Sequence, residues 1–223
     1  VGKYSKPLSN SIIFALMSAV LSTLVAAVAS YLVHRTNMPL RKTIDVTAQL
    51  PSAIPGSLLG LALSLAASAL RFNNSVVLIV IAMTVAFMPF SYRIITQTYA
   101  QIDTGLDDAA RSLGSNQLGL LFNILIPVSS SGLYSGFVYD FIRGVGTLSA
   151  VIFLVSFNTP LASIKIINLA EQGDWGEAAA LALVLTFITF AILLLGLLTG
   201  KIFQKRKLKK GDRKSTRLNS SHL

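Results

Sequence analysis

The chain has 223 residues, of which 53% are hydrophobic and only 13% are charged, and a mean hydropathy of +0.67. That exceeds the apolar content of one soluble core and predicts a membrane protein. The lack of cysteine excludes disulfide scaffolds and thiolate chemistry, and the +10 net charge is not arranged as a basic face with interleaved aromatics, so nucleic-acid binding is not expected.

Among the runs without charged residues or histidine, we interpret four as segments that cross a membrane. They comprise 27, 25, 21 and 23 residues, at positions 7–33, 46–70, 72–92 and 178–200, whereas a helix needs about 20 residues to span the hydrocarbon core. A fifth apolar segment, residues 128–148, contains only two charges, Asp140 and Arg143. The runs are continuous rather than alternating, and an open sheet edge cannot lie in lipid. We therefore predict an all-α polytopic protein with five transmembrane helices.

The distribution of lysine and arginine predicts the orientation. In the five-span arrangement, eleven of these residues fall on the side that holds the third connection, and four fall on the other side. Because loops rich in lysine and arginine stay in the cytoplasm, the N-terminus should be outside and the C-terminus inside. The basic cluster at 201–210 is interpreted as a topology anchor against membrane lipid.

Neither end of the sequence resembles a natural terminus. The chain starts at Val1, without an initiator methionine or a signal-peptide pattern. Residues 212–223 resemble the peptide obtained by translating a sequencing adapter. We expect a membrane domain over residues 1–210, truncated at its N-terminus, and an artefactual or disordered tail over residues 211–223.

The connection between the third and fourth predicted spans, residues 97–127, is far longer than the usual handful of residues. Asp107 and Asp108 open a short amphipathic run, where the helix dipole favours acids, and Gly114 is placed to end a helix. We predict a short helix in an ordered cytoplasmic loop that serves as a docking surface. A surface helix with a glycine cap is the alternative.

The spacing within this loop carries a family resemblance. Asp108-Ala109-Ala110, three further residues, Gly114, nine further residues and Ile124-Leu125-Ile126-Pro127 resemble the EAA loop of binding-protein-dependent ABC importer permeases. The resemblance extends over residues 7–203, although Asp108 stands where the family usually has Glu and Ile126 where it usually has Leu. In that family the loop forms a coupling helix that sits in a cleft of the ATPase. The resemblance thus implies these coupling residues: Asp107, Asp108, Ala109, Ala110, Arg111, Gly114, Ile124 and Pro127.

The resemblance also implies a cellular context. Residues 1–210 would be the permease domain of a bacterial inner-membrane importer. Its partners would be ABC ATPase subunits, an extracytoplasmic solute-binding protein, a second permease half or subunit, and membrane lipid. ATP would bind to the ATPase rather than to this chain, which lacks a Gly-rich phosphate loop and is not expected to be an enzyme or to hold a cofactor or metal.

Two segments resemble the ferric-iron branch of the family. They are residues 51–56, Pro-Ser-Ala-Ile-Pro-Gly, and residues 143–155, which begin Arg-Gly-Val-Gly-Thr-Leu. Ferric iron is therefore the expected solute, and the branches for polyamines, thiamine and phosphonates remain open because they share much of the pattern. The sequence shows no set of iron ligands, and in this family the binding protein selects the solute.

The two charges inside the fourth predicted span suggest a polar site. Asp140 and Arg143 are three residues apart, so they should share a helix face and pair with one another, either near the outer rim or along the translocation path. Two glycine pairs, Gly132 with Gly136 and Gly56 with Gly60, have the spacing for close helix packing.

Two other function classes fit the sequence less well. An ion-coupled secondary carrier usually has several intramembrane acids, or broken helices in repeated halves, and the sequence shows only Asp140 and no repeat. A membrane-embedded enzyme would need a nucleophile, a metal set or a carboxylate pair at bilayer depth. The sequence supplies none of these.

Overall fold

The computed structural model describes the backbone of residues 2–219 and the side chains of residues 3–197. All regular structure in these residues is helical, as predicted. Contacts divide the chain into two compact units, one ending at Ala182 and one starting at Leu183. The helices are α1 Ser5–His34, α2 Arg41–Gln49, α3 Gly56–Ala69, α4 Ser75–Ala100, α5 Gly105–Ser112, α6 Gln117–Gly119, α7 Ile126–Val128, α8 Ser130–Val145, α9 Ala162–Glu171 and α10 Trp175–Asn219, with a π-helical turn at Leu120–Leu125.

Three helices are long and apolar enough to cross a membrane, namely α1, α4 and the Trp175–Leu197 part of α10. Two helix pairs pass the same test only as bent spans, Arg41–Ala53 with Gly56–Ala69 at 108° and Gln117–Val128 with Ser130–Val145 at 77°. Counting each bent pair once gives up to 5 spans. The polytopic all-α prediction is confirmed, with three continuous candidate spans and two bent helix pairs among the described residues.

Proline explains where the first break falls. Pro51 and Pro55 lack the backbone N–H that a continuous helix needs, and Pro55 is extended, with ψ of 133°. Helix α3 consequently has only 14 residues, or about 21 Å of rise, against about 30 Å for the hydrocarbon core. The continuous helix predicted over residues 46–70 is therefore wrong in detail, because the chain turns sharply before α3.

Helices α1, α4 and α8 pack against one another at the centre of the first unit. Small residues of α1 face its neighbours, and large apolar residues such as Leu24 and Val25 are exposed on the opposite side. This arrangement is typical of membrane helices, because lipid solvates large apolar side chains and small residues let backbones approach closely. The buried small residues of α1 include Ser11, Ala15, Ser18, Ala19, Ser22, Ala26, Ala27 and Ser30.

Glycines of α8 make the same close approach. A Cβ atom at Gly136 would lie 3.0 Å from Ser91 Oγ of α4, and one at Gly132 would overlap the side chain of Thr98. The packing role predicted for Gly132 and Gly136 is confirmed.

The two ends of α1 mark two sides of the first unit. At the N-terminal end, Asn10 Nδ2 donates to the carbonyl oxygen of Pro160 at 3.0 Å. At the C-terminal end, Arg35 contacts Asp107 in the long loop. The loop therefore lies on the side opposite to residue 160, in agreement with the predicted relative topology, while the absolute orientation remains a prediction.

The basic cluster at 201–210 and the predicted tail at 211–223 lie outside the residues whose side chains are described, and residues 220–223 lie outside the described backbone as well. Their assigned roles and the domain limits therefore remain predictions.

Candidate functional site

The predicted helix of the long loop is α5, and it ends where the sequence indicates. Gly114 has φ of +84°, a conformation that glycine adopts without the cost of about 1 kcal/mol that a Cβ would add. The N–H of Gly114 donates to the carbonyl of Arg111 at 2.9 Å, and the N–H of Ser115 donates to that of Ala110 at 3.0 Å. These two bonds form a Schellman motif, which gives the helix a defined end.

One ion pair attaches the inner face of α5 to the transmembrane helices. Arg35 Nη1 lies 3.2 Å from Asp107 Oδ2, and the two side chains are only 4% and 9% exposed. Arg35 Nη2 also donates to the backbone carbonyls of Tyr99 and Ile102, at 2.5 Å for Ile102. A single guanidinium thus joins the end of α1, the end of α4 and the start of α5.

Sequence reasoning missed the role of Arg35. The residue directly follows an apolar run, where a basic side chain was interpreted only as a topology marker. Its partner Asp107 lies 72 residues away. No local pattern links the two positions, although Asp107 itself was among the predicted coupling residues.

The buried side of α5 also packs against α1, α4 and the π-helical turn. Ala110 belongs to a buried cluster with Tyr31, Tyr99 and the π-helical turn Leu120–Leu125. The Tyr31 hydroxyl donates to the carbonyl of Gln117 at 3.0 Å. These contacts hold the loop in one arrangement.

The outer face of α5 and its surroundings is exposed and partly apolar. Leu113 is 89% exposed beside Gly114, and Leu106, Leu118 and Phe122 are also exposed. Leu118 and Phe122 belong to the bent candidate span that starts at Gln117, whereas Leu106 and Leu113 lie outside the candidate membrane spans, and exposed apolar residues there are typical of a protein-binding surface. We call Leu106, Asp108, Ala109, Arg111 and Leu113 the outer face of α5.

The predicted coupling residues fall on both faces of this region. Asp107 and Ala110 point inward, so Ala109 is the one alanine of the predicted pair that a partner could approach closely. Ile124 is half-buried in the π-helical turn, and Pro127 is exposed in α7. A cavity of about 200 Å³ separates α5 from the start of α2, and its lining includes Arg41, Thr104, Asp108 and Arg111.

A second cavity, of about 580 Å³, lies where the two broken spans meet α4. Its walls come from the break before α3, the middle of α4, the end of α8 and the non-helical segment that follows α8. Its lining residues include Ser52, Ile54, Gly56, Leu59, Phe87, Phe90, Arg143, Thr147 and Ser149.

Glycines allow the broken spans to approach each other beside this cavity. A Cβ atom at Gly56 would lie 2.6 Å from Ser149 Oγ, and one at Gly60 would lie 2.6 Å from the carbonyl oxygen of Ala150. Gly56 and Gly60 were predicted to pack helix on helix. They pack instead on a non-helical segment, and so the structure brings together the two sequence segments 51–56 and 143–155.

The predicted pairing of Asp140 with Arg143 is wrong. Asp140 is fully buried between α1 and α4, where Ser22 and Ser91 donate to its Oδ2, with the Ser91 bond at 2.5 Å. Arg143 is exposed and lies on the cavity lining, because α8 ends at Val145 and leaves its last turn beside the opening. Of the two predicted translocation-path residues, Arg143 borders the 580 Å³ cavity, whereas Asp140 lies within the helix packing; a transport role for either remains a prediction.

Comparison with known proteins identifies similar chains. Residues 19–209 match the family described as binding-protein-dependent transport system inner membrane component. The ferric transport system permease protein FbpB of Actinobacillus pleuropneumoniae is 31% identical over 189 residues, which cover 84% of this chain and 28% of that protein. The probable sulfate transport system permease protein cysT of Zygnema circumcarinatum is 27% identical over 209 residues, which cover 86% of this chain and 71% of that one.

The fold also has a counterpart among solved structures. A chain of the MetNI methionine ABC transporter in an inward-facing conformation superposes with a TM-score of 0.67 at 16% identity, covering 85% of this chain and 91% of that chain. At this identity the likeness shows a shared fold. The chain spans only 28% of the length of the ferric relative, so it corresponds to a part of that protein.

Proposed function

Because the chain belongs to the family of binding-protein-dependent transport system inner membrane components, we propose that it is the membrane-spanning permease part of an ATP-driven importer. It would receive its solute from an extracytoplasmic binding protein and its energy from ATPase subunits. The observation that carries this proposal is the outer face of α5, an exposed and partly apolar surface on a helix that is firmly tied to the transmembrane helices. The chain itself would translocate solute and leave ATP hydrolysis to its partner.

The contacts of Arg35 suggest how motion would pass from the ATPase to the membrane. A partner that displaces α5 also pulls on Asp107, and Arg35 passes that pull to the ends of α1 and α4. The middle of α4 lines the 580 Å³ cavity through Phe87 and Phe90. A movement at the loop would therefore change the cavity, as alternating access requires.

Ferric iron is the solute that we propose for the intact importer. The similarity to a ferric permease supports it, and so does the position of segments 51–56 and 143–155, whose residues Gly56, Arg143 and Ser149 line the same cavity. Sulfate is the second candidate, because the similarity to a sulfate permease covers 86% of this chain.

Substitution of Gly114 tests the proposed coupling role. Gly114→Asp forces a side chain into a left-handed conformation, at a cost of about 1 kcal/mol, and adds a charge to the docking surface. Neither change lies in the transmembrane packing, since no atom lies within 4 Å of a Cβ built at Gly114. We expect normal membrane insertion together with loss of both ATPase co-purification and solute uptake.

Gly176→Asp is the matched control. Gly176 is also exposed with no atom within 4 Å, but it lies at the start of α10, near Glu177, which contacts Lys3 on the opposite side. That variant should keep ATPase association and uptake. Retention of both by Gly114→Asp would refute the docking role of α5.

A further inference from the structure

The 580 Å³ cavity borders the middle of α4, where the two bent helix pairs meet it. Its α4 residues, Ala86, Phe87 and Phe90, are near the middle of a helix that runs from Ser75 to Ala100. Two helices stop beside it, since α3 begins at Gly56 and α8 ends at Val145. Helices that break at mid-depth are tolerated where they line a cavity, and they commonly mark a solute pathway.

Among the described residues that line the cavity, the charge is positive. Arg143 is the one charged residue in the lining, which includes no Asp or Glu. Among the residues whose side chains are described, Arg143 has no acidic partner, because the buried Asp140 faces the serines of α1 and α4 instead. The guanidinium is always protonated at physiological pH.

The helix ends do not cancel this charge. The start of α3 and the end of α8 carry partial charges of about +0.5 and about −0.5, which offset each other. The full positive charge of Arg143 remains, between apolar walls that include Ile54, Leu59 and Phe87. Such walls lower the local dielectric constant and strengthen any interaction with a passing ion.

The other polar groups in the lining suit an anion as well. Ser149 presents its hydroxyl close to the backbone of Gly56, and Thr147 also lines the cavity, whereas the hydroxyl of Ser52 already donates to the carbonyl of Gln49 at 2.7 Å. A guanidinium beside hydroxyl groups offers N–H and O–H donors to the oxygen atoms of a compact anion. A bare trivalent cation would instead meet a fixed positive charge without any carboxylate in the lining.

We propose that the species that crosses this cavity is a compact anion, and that Arg143 is the residue that attracts it. For an iron importer, that species is an anionic ferric complex, and for a sulfate importer it is the oxyanion itself. The inference rests on the proposed importer function and narrows its substrate class.

A purely structural role of Arg143 makes a different prediction. A basic residue in the last turn of a helix also stabilises the C-terminal end of the helix dipole. In that role its loss would lower the stability of the protein and affect every solute alike. The test therefore needs the charge series Arg143→Lys, Arg143→Gln and Arg143→Glu, with the melting temperature of each variant measured beside its transport.

The experiment uses the complete importer in liposomes, with its ATPase and its binding protein. The probes are radioactive sulfate, iron supplied as ferric citrate, and putrescine as a cationic solute. Wild type should take up an anionic probe, and whether that is sulfate or ferric citrate identifies the source of the anion. Arg143→Lys should retain most of the uptake, Arg143→Gln should lower it by at least about tenfold because a charge-assisted contact is lost, and Arg143→Glu should abolish it, all with near-normal melting temperatures.

Two failures can be told apart. The anion inference would be wrong if wild type took up putrescine alone, or if Arg143→Glu left uptake unchanged. It would also be wrong if uptake fell across the Arg143 variants only in proportion to their melting temperatures. In each case the protein would still be an importer. A wild-type complex that neither hydrolyses ATP in response to its binding protein nor takes up any probe would overturn the proposed function itself.

Discussion

Two buried carboxylates, Asp107 and Asp140, are held in different ways. At the loop end of the bundle, Asp107 pairs with the guanidinium of Arg35, which also binds two backbone carbonyls. In the packing of α1, α4 and α8, Asp140 accepts hydrogen bonds from the hydroxyls of Ser22 and Ser91 and has no cationic partner among the described side chains. The first arrangement joins α5 to the ends of α1 and α4, and the second fastens α1, α4 and α8 to one another.

The largest loss of stability should come from removing Arg35, the cation that pairs with Asp107. Arg35→Ala leaves the carboxylate of Asp107 buried and uncompensated, which should lower the free energy of unfolding by about 3–5 kcal/mol. Denaturant titration of the protein in mixed micelles measures this loss. The double variant Arg35→Met with Asp107→Leu is the control, since apolar replacement of both partners should restore most of the stability. A loss in Arg35→Ala below about 1 kcal/mol would mean that the pair behaves like an exposed one.

A smaller loss is expected where α8 packs on α4. The Cβ of Gly132→Ala would overlap Thr98, so the helices must separate, at a cost of about 1–3 kcal/mol. Gly146→Ala is the matched control, because a Cβ at Gly146, just beyond the end of α8, has no atom within 4 Å. Equal melting temperatures for the two variants would show that the close packing of α8 on α4 does not stabilise the protein.

The smallest change in stability should come from neutralising the carboxylate of Asp140. Asp140→Asn keeps an oxygen that can accept from Ser22 and Ser91, and its amide group takes the place of Oδ1, which already has no hydrogen-bond partner. The free energy of unfolding should change by less than about 1 kcal/mol.

Asp107→Asn provides the comparison for that variant. It removes the charge that faces Arg35, and we expect a loss of about 1.5–3 kcal/mol. If the two substitutions cost the same amount, the two carboxylates would not differ in the way described.

The sequence predicted those features that depend on neighbouring residues. Gly114 could be identified as a helix end because a glycine after a short amphipathic run favours a left-handed conformation. The spans at 7–33 and 72–92 were predicted from their length and apolar content. Gly132 and Gly136 were correctly assigned to packing because a four-residue spacing places both on one helix face.

Features that depend on distant contacts were missed. The break before α3 turns Gly56 towards Ser149, and a count of apolar residues over 46–70 does not detect that turn. A separation of three residues suggested that Asp140 and Arg143 would pair, but it could not reveal the serines of two other helices that bind Asp140.

Site-specific photocrosslinking at Leu113 tests the central claim most directly, namely that the outer face of α5 binds the ATPase. Leu113 is 89% exposed beside Gly114, and Leu70, 80% exposed at the end of α3, is the matched control on the side away from the loop. In membranes that contain the assembled importer, a photoreactive residue at position 113 should form a covalent adduct with the ATPase, and one at position 70 should not. An ATPase adduct from position 70, or none from position 113 in an importer that still transports, would contradict the account.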